Sequence, residues 1–283
     1  MPRPRYSSSL RLAIRASGAF FTSGNDPPSQ LDQVLKRGTL VMLTRNRAST
    51  YYIGPDGPTG PEVELARGFA DYLGVELDIR TAPAFDRLAA MLDSGAGDMI
   101  AANLTRTPER EERFNFGPDY QETTMVVVYR VGQPRPRSFA DLADRKVMVI
   151  AGSSYEEALE LAQFDVEDLE WEARSDVGME ELLLAVADGA IDATLVDSNI
   201  FSLNGRYYPR VDVAFTLSGT LPHAWAFPGG EDDSLARAAD GYMAEAREDG
   251  RLNALHTAFY TEDERLDRVG ICVLYTSDGA DEC

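Results

Sequence analysis

Segments with helical spacing of apolar residues alternate with short apolar runs over the first half of the chain. The predicted helices cover residues 31–37, 62–73 and 85–92. The predicted strands cover residues 39–44, 76–80, 99–102 and 123–129. Residues 51–60 are rich in glycine and proline and are predicted to form a loop. This alternation indicates an α/β fold.

A proline-broken segment at residues 132–137 is followed by a second round of the same alternation. Its predicted strands cover residues 146–150, 169–173, 193–196, 211–215 and 224–227, and its helices residues 155–161, 179–187, 233–248 and 251–259. Residues 88–105 and 182–199 share the order helix, Gly-x-x-Asp, apolar strand. Ordinary helix and turn ends produce such a match by themselves. Together with the linker and the restart, the match favours two similar lobes with a ligand crevice at the carboxyl ends of strands.

Composition and charge exclude several classes of function for this chain. The chain of 283 residues is 44% hydrophobic and has a formal net charge of −20, so it can bury a core and repels phosphate backbones. Nucleic acid is therefore not an expected partner. The two cysteines, Cys272 and Cys283, and the two histidines, His223 and His256, show no disulfide framework, metal-ligand spacing or catalytic arrangement. With no dinucleotide, P-loop or nucleophile-elbow motif, we expect no cofactor, no metal and no catalytic residue.

Both ends of the chain depart from this pattern. Residues 1–28 are loop-like, and Arg11 and Arg15 interrupt the apolar stretch that a secretory signal needs. We interpret residues 1–28 as disordered or as a mis-assigned start. Residues 271–283 follow neither helix nor strand periodicity and resemble a translated transposon adapter from sequencing libraries. We interpret them as an artefact of sequencing.

Three polar motifs follow predicted strands. Thr105 and Arg110 come after the strand at residues 99–102, where an arginine can hold a carboxylate through paired hydrogen bonds. A solvated helix start explains the same residues. Ser153 and Ser154 stand between a strand and a helix, either as anion ligands or as a simple N-cap.

Asp197 ends the strand at residues 193–196, where it can pair with a ligand ammonium or cap the next helix. Tyr51 and Tyr52 can line a ligand, although packing in the core explains at least one of them equally well.

Four segments, at residues 60–73, 97–120, 151–158 and 191–199, resemble the family 3 extracellular solute-binding proteins. Residues 129–137 are similar, more narrowly, to the N-terminal module of membrane-bound lytic murein transglycosylases. The resemblance covers about residues 30–262. It implies a two-lobed periplasmic-binding-protein fold of the Venus-flytrap kind, type II, with lobe 1 at residues 29–131 and 221–262 and lobe 2 at residues 132–220.

The resemblance also implies roles for the motif residues. Arg110 matches the arginine that holds an amino-acid α-carboxylate, Ser153 and Ser154 match the hydroxyls that complete that site, and Asp197 matches the acid that pairs with the α-amino group. Tyr51 or Tyr52 falls near the family's aromatic wall. Asn103 stands where amino-acid binders often have Ser or Thr, and we include it with Thr105 among the expected ligand-binding residues.

The function that follows from the resemblance is a regulatory module that binds an amino acid, a peptide or a muropeptide. In the transglycosylase branch such a module is joined to a C-terminal lysozyme-like domain, which we expect as its partner and which has no counterpart in these 283 residues. The chain itself is therefore expected not to be an enzyme. Its parent is expected in the periplasm or at the outer membrane, although no credible signal peptide is present. The alternative is a free-standing amino-acid-binding protein of an ABC transporter.

Overall fold

Two five-stranded sheets organise residues 27–260, which are the residues that the computed structural model describes. The α-helices are α1 (Gln30–Arg37), α2 (Pro61–Leu73), α3 (Arg87–Asp93), α4 (Pro108–Glu111), α5 (Ser154–Gln163), α6 (Met179–Asp188), α7 (Ser198–Asn204), α8 (Ser234–Glu248) and α9 (Arg251–Tyr260). The strands are β1 (Thr39–Thr44), β2 (Tyr52–Gly54), β3 (Gly57–Thr59), β4 (Glu76–Thr81), β5 (Met99–Ile100), β6 (Phe114–Phe116), β7 (Gln121–Thr123), β8 (Met125–Arg130), β9 (Val147–Ile150), β10 (Trp171–Arg174), β11 (Ala193–Asp197), β12 (Val211–Thr216), β13 (Leu221–His223) and β14 (Ala226–Pro228).

The two sheets are built alike, and each is the centre of one lobe. The lobe 1 sheet has the order β4-β1-β5-β14-β6, and the lobe 2 sheet has the order β10-β9-β11-β8-β12. In each sheet the first three strands are parallel and the last two are antiparallel to their neighbours. The matched sequence segments form α3–β5 in lobe 1 and α6–β11 in lobe 2, so both supply the middle strand of a sheet.

Apolar runs in the sequence place the cores. Strand β1 is buried from Leu40 onward because helices cover both faces of its sheet. The face toward α1, α2 and α8 packs around Phe69 and Trp225, and the opposite face packs around Leu43 and Leu88. A separate cluster fills lobe 2.

The chain passes between the lobes through two short strands that pair with each other. Strand β7 leads from lobe 1 to lobe 2, and β13 leads back. The two pair antiparallel, with Gln121 opposite His223 and Thr123 opposite Leu221. Such paired connections are where a two-lobed protein can bend.

Several expected elements differ from the structure. Residues 51–60 are not a simple loop, because the turn at Pro55 and Asp56 closes the hairpin β2–β3. The strand predicted at residues 123–129 is divided between two sheets. Thr123 ends β7, which pairs with β13, and from Met125 onward the chain forms β8, which pairs with β11. Strands β6 and β13 were not predicted, and β5 ends at Ile100.

The crossing point between the lobes also differs from the expected division. Strand β8, which the sequence division assigned to lobe 1, belongs to the lobe 2 sheet. The proline-rich segment at residues 132–137 therefore lies within lobe 2, and the crossing falls near Thr124. The interpretations of residues 271–283 and of residues 1–26 lie outside the described residues.

Candidate ligand-binding site

Arg110 projects from α4 into the contact between the lobes. Thr107 begins α4 as its N-cap, which places Arg110 in the single turn that follows. The guanidinium donates from Nη1 to the Thr105 carbonyl at 2.8 Å and from Nη2 to the Gly152 carbonyl at 3.1 Å. Arg110 is buried, and its side chain connects the loop after β5 in lobe 1 to the turn before α5 in lobe 2.

The lobe 2 side of this contact is the turn between β9 and α5. Gly152 has φ +71°, and a Cβ there would stand 3.1 Å from the Cβ of Asp86 in lobe 1, so glycine allows the close approach. The Ser154 hydroxyl lies 3.1 Å from the Thr105 hydroxyl across the lobes. Ser153 instead donates to the Ile150 carbonyl at 2.6 Å, which stabilises the turn.

A carboxylate of the chain already meets Arg110. Glu157, one turn into α5, has its Oε1 2.9 Å from Arg110 Nη2. Burial lowers the pKa of the Arg110 guanidinium, and the negative charges of Glu157, Glu109 and Asp197 act in the opposite direction. The Phe85 ring centroid lies 5.8 Å from the guanidinium carbon. Arg110 is thus a desolvated cation that carboxylates stabilise.

Asp197 forms the other end of the site, at the carboxyl end of β11. Its Oδ2 accepts a hydrogen bond from the Tyr155 hydroxyl at 3.1 Å and lies 3.2 Å from Nε2 of His223. Burial and the neighbouring Asp197 raise the pKa of Tyr155 well above its ordinary value, so the phenol keeps its proton and donates it. The side chains of Asp197 and His223 are almost completely buried.

Asn103 is held in place from beneath the site. Its backbone has φ +51°, a left-handed conformation that asparagine tolerates. Its N–H donates to Oε1 of the buried Glu62 at 2.7 Å, and Trp225 donates to Oε2 of the same carboxylate at 2.9 Å. The Tyr120 hydroxyl also donates to Glu62. Asn103 therefore serves as a bend in the loop that leads to Thr105.

Further contacts join the lobes around this centre. Ser175 of lobe 2 donates to Asp86 of lobe 1 at 2.9 Å, and Arg47 of lobe 1 lies 3.7 Å from Glu180 and 3.8 Å from Glu181. A cavity of about 260 Å³ opens beside Arg110. Its lining includes Phe85, Asp86, Gly152, Ser153, Glu157 and Glu160.

The structure brings most of the expected residues together, but not all. Thr105, Arg110 and Ser154 are linked in the interlobe contact by the distances above, and Asp197 joins them through Tyr155, the residue after Ser154. Asn103 and Ser153 shape its two loops. Tyr51 packs against the lobe 1 core, and Tyr52 begins the β2–β3 hairpin, so neither belongs to the Arg110–Asp197 group.

Several residues of the site were not predicted. Phe85, which packs against both the lobe 2 core and the second lobe 1 cluster, is the aromatic residue beside Arg110. Glu157 and Tyr155 stand within the same sequence motif as Ser154, at spacings that put them on the first turn of α5. His223 gave no periodic signal, because its position depends on the pairing of β13 with β7.

Among residues 27–260 no group of three or more His, Cys, Asp or Glu side chains is arranged to hold a metal ion. Within the same residues, none of the helices has the length and apolar character needed to cross a membrane.

A sequence model of the bacterial extracellular solute-binding proteins, family 3, matches residues 40–262. The chain belongs to this family. Its two-lobed α/β architecture is the type II periplasmic-binding-protein fold of that family.

Curated relatives of this solute-binding protein carry a more specific name. The membrane-bound lytic murein transglycosylase F of Ectopseudomonas mendocina (strain ymp) is 40% identical over 249 residues, which are 87% of this chain and 51% of the relative. The protein of the same name from Saccharophagus degradans is 36% identical over 263 residues, which are 93% of this chain and 52% of the relative. The chain spans about half the length of the curated relatives it matches.

Solved structures agree on the fold. An ancestral amino acid-binding protein, a precursor of cyclohexadienyl dehydratase, superposes with a TM-score of 0.72 at 25% identity, covering 82% of this chain and 100% of that one. An amino acid ABC transporter substrate-binding protein from Streptococcus pneumoniae bound to L-arginine has a TM-score of 0.69 at 23% identity, covering 81% of this chain and 97% of that one.

Proposed function

We propose that this solute-binding protein is the regulatory module of a membrane-bound lytic murein transglycosylase and captures an amino-acid- or peptide-like ligand between its lobes. The observation that carries the proposal is the buried Arg110 of lobe 1, which reaches the Gly152 turn of lobe 2 and has its pKa lowered by burial. A desolvated guanidinium between two lobes is a receptor for a carboxylate.

The remaining residues complete a receptor for an amphoteric ligand. Thr105 and Ser154 add hydroxyls from both lobes, and Asp197 adds a buried acceptor for the ligand's amino nitrogen. Because these groups are buried where the lobes touch, a ligand enters only when the lobes separate at β7 and β13. Closure on the ligand then shifts the balance between open and closed states.

The transglycosylase assignment rests on the relatives. Identities of 36–40% over 87–93% of the chain link it to transglycosylase F sequences, whereas the likeness to the S. pneumoniae transporter protein is 23%. We propose that the parent protein is periplasmic or outer-membrane-associated and that a lysozyme-like domain is the module's partner. Sequencing the source locus beyond codon 270 tests this point. A frame that continues into such a domain supports the proposal, and a stop codon beside permease genes contradicts it.

Calorimetry on a panel of free amino acids, dipeptides and cell-wall peptides tests ligand capture. Removing one partner of a buried charged contact costs about 2–5 kcal/mol, which is a loss of affinity of about 30-fold or more. We expect Arg110→Ala to abolish detectable binding.

Arg210→Ala is the control for Arg110→Ala. It removes an exposed arginine of lobe 2 whose partner is Asp188 and which does not border this cavity, and we expect it to bind as the wild type does. Unchanged affinity in Arg110→Ala, with a normal unfolding temperature, would remove Arg110 from the site.

A further inference from the structure

Like Arg110, Arg45 is a buried arginine at the contact between the lobes. It follows directly on the carboxyl end of β1 and is 7% exposed. The Thr50 hydroxyl donates to its backbone carbonyl at 2.6 Å, which holds the turn after the strand. The charges that act on its guanidinium come from both lobes, namely Arg47 and Asp86 of lobe 1 and two acids at the start of α6 in lobe 2.

The Arg45 guanidinium has no hydrogen bond and no ion pair among residues 27–260. Two of the acids whose charge reaches it are bound elsewhere: Asp86 accepts a hydrogen bond from Ser175 at 2.9 Å, and Glu181 accepts one from the N–H of Gly178 at 2.8 Å. Buried charges in folded proteins are nearly always paired, because desolvation of an unpaired ion is costly. Arg45 is therefore a buried cation whose partner is missing from the chain itself.

Arg47 adds a second positive charge at the same place. A Cβ at Gly178 would stand 2.2 Å from its Nε, so the guanidinium lies over the N-terminus of α6, which is the positive end of the helix dipole. Nε of Arg47 is 3.7 Å from Oε2 of Glu180, which is too long for a hydrogen bond, and both atoms are buried without a hydrogen-bond partner. Two guanidinium groups and a helix N-terminus thus meet with only long contacts to acids.

The neighbouring acids do not compensate Arg45 fully. Burial, together with the charge of Arg47, lowers the pKa of the Arg45 guanidinium, and the charges of Glu181, Glu180 and Asp86 act in the opposite direction. A carboxylate carries one charge and matches the guanidinium fork through paired hydrogen bonds. A phosphate group carries up to about two charges and would be repelled more strongly by the three acids. The surroundings of Arg45 therefore favour a carboxylate.

Arg45 and Arg110 lie on either side of one short segment of lobe 1. Arg110 donates to the Gly152 carbonyl, and a Cβ at Gly152 would stand 3.1 Å from the Cβ of Asp86. Asp86 is in turn one of the charges that act on Arg45. A single ligand that lies along this segment can therefore contact both arginines.

We propose that Arg45, assisted by Arg47, binds a second carboxylate of the ligand, so that the protein selects acidic amino acids and peptides with an acidic side chain over their neutral counterparts. The inference rests on the proposed function, because Arg110 holds the first carboxylate of the same ligand. Arg45 is thus a specificity-determining residue, whereas Arg110 is needed for binding of either kind of ligand.

The test uses calorimetry on two pairs of ligands, L-glutamate with L-glutamine and L-alanyl-L-glutamate with L-alanyl-L-glutamine. The members of a pair have the same size and differ by one negative charge, and the two pairs differ in reach. We expect the wild type to favour the acidic member of at least one pair by about tenfold or more, which corresponds to about 1.4 kcal/mol. O-phospho-L-serine should bind more weakly than L-glutamate, and tighter binding would contradict the assignment to a carboxylate.

Arg45→Met keeps an apolar stem and removes the charge. It should reduce the preference to within about twofold and leave the affinity for the neutral member unchanged. Arg210→Met is the control for net charge, because it removes an exposed arginine paired with Asp188, and it should keep the wild-type preference.

The outcomes separate this inference from the proposed function. Equal affinity of the wild type for both members of both pairs, or a full preference retained in Arg45→Met, would overturn the inference. If Arg110→Ala still abolishes binding in that case, the proposed function stands. Absence of binding of any amino acid or peptide to the wild type would overturn both.

A second measurement needs no ligand. Because an unpaired buried charge destabilises the folded state, Arg45→Met should raise the unfolding temperature of the empty protein. Arg210→Met, which removes an exposed charge, should leave that temperature nearly unchanged. An unchanged or lower unfolding temperature in Arg45→Met would show that the chain itself already stabilises this charge, and it would overturn the inference.

Discussion

Glu157 already pairs with the guanidinium that we propose for a ligand carboxylate. Its Oε1 lies 2.9 Å from Nη2 of Arg110, and the same guanidinium also donates to the carbonyls of Thr105 and Gly152. A ligand carboxylate that pairs with Arg110 must therefore displace Glu157. We expect Glu157→Gln, which keeps the size of the side chain but removes its charge, to bind carboxylate ligands more tightly.

The magnitude follows from the burial of the pair. A hydrogen bond to a charged group contributes about 1.5–3 kcal/mol, and replacing the charged acceptor by a neutral one removes about half of it. The Glu157 side chain is 22% exposed and that of Arg110 10%, so solvent screening leaves a value toward the lower end. About 1 kcal/mol less is needed to release Arg110, which corresponds to about fivefold tighter binding.

Calorimetry with the best ligand from the peptide panel measures the change. Glu160→Gln is the control, because it removes the same charge from the next turn of α5 and also borders the cavity beside Arg110. We expect it to stay within about twofold of the wild type, since screening weakens a longer-range interaction. Thermal unfolding without ligand should show Glu157→Gln to be less stable, because the buried guanidinium loses its counter-charge. Unchanged or weaker binding by Glu157→Gln, or an equal gain in Glu160→Gln, would refute the competition.

Two further predictions concern the scaffold. Burial raises the pKa of Glu62 above its ordinary value of 4.5, against the hydrogen bonds from Tyr120, Trp225 and Asn103. The folded state thus favours the protonated carboxyl, and this contribution to stability is present below pH 4.5 and is lost as the pH rises through the folded-state pKa. In urea unfolding, the wild type should therefore lose stability relative to Glu62→Gln as the pH rises. The opposite dependence on pH would contradict this prediction. A Cβ at Gly178 would stand 2.2 Å from Nε of Arg47, so Gly178→Ala should displace that side chain from the acids of α6 and open the lobes. Because an exposed ion pair contributes about 1 kcal/mol or less, we expect ligand affinity to fall by up to about fivefold. Small-angle scattering should report a larger radius of gyration. An unchanged radius and an unchanged affinity would argue against Arg47 as an interlobe contact.

The sequence alone determined the architecture, because periodicity is a local property. The buried run of β1 and the amphipathic α2 were predicted within a residue of their bounds. The repeated helix–strand pattern at residues 88–105 and 182–199 correctly indicated two similar lobes. The ends of the predicted strands also led to Arg110 and Asp197 as candidate ligand-binding residues, a role that stays a prediction.

Only the tertiary structure decided how these groups meet. The β2–β3 hairpin, the division between β7 and β8, and the crossing near Thr124 depend on which strand pairs with which, and strand pairing joins residues that are distant in sequence. The position of Glu157 on α5 can be predicted from the sequence alone. Its contact with Arg110 cannot, because it exists only where the two lobes touch.

His223 is the clearest example of a residue whose contacts could not be predicted from the sequence. Nothing in its neighbourhood along the chain distinguishes it from an ordinary buried histidine. It meets Asp197 because β13 carries it back across the hinge, beside the end of β11. Local spacing determines which residues share a helix or a strand. The long-range packing of the two lobes determines which charged groups are buried together, and the chemistry of this site depends on that packing.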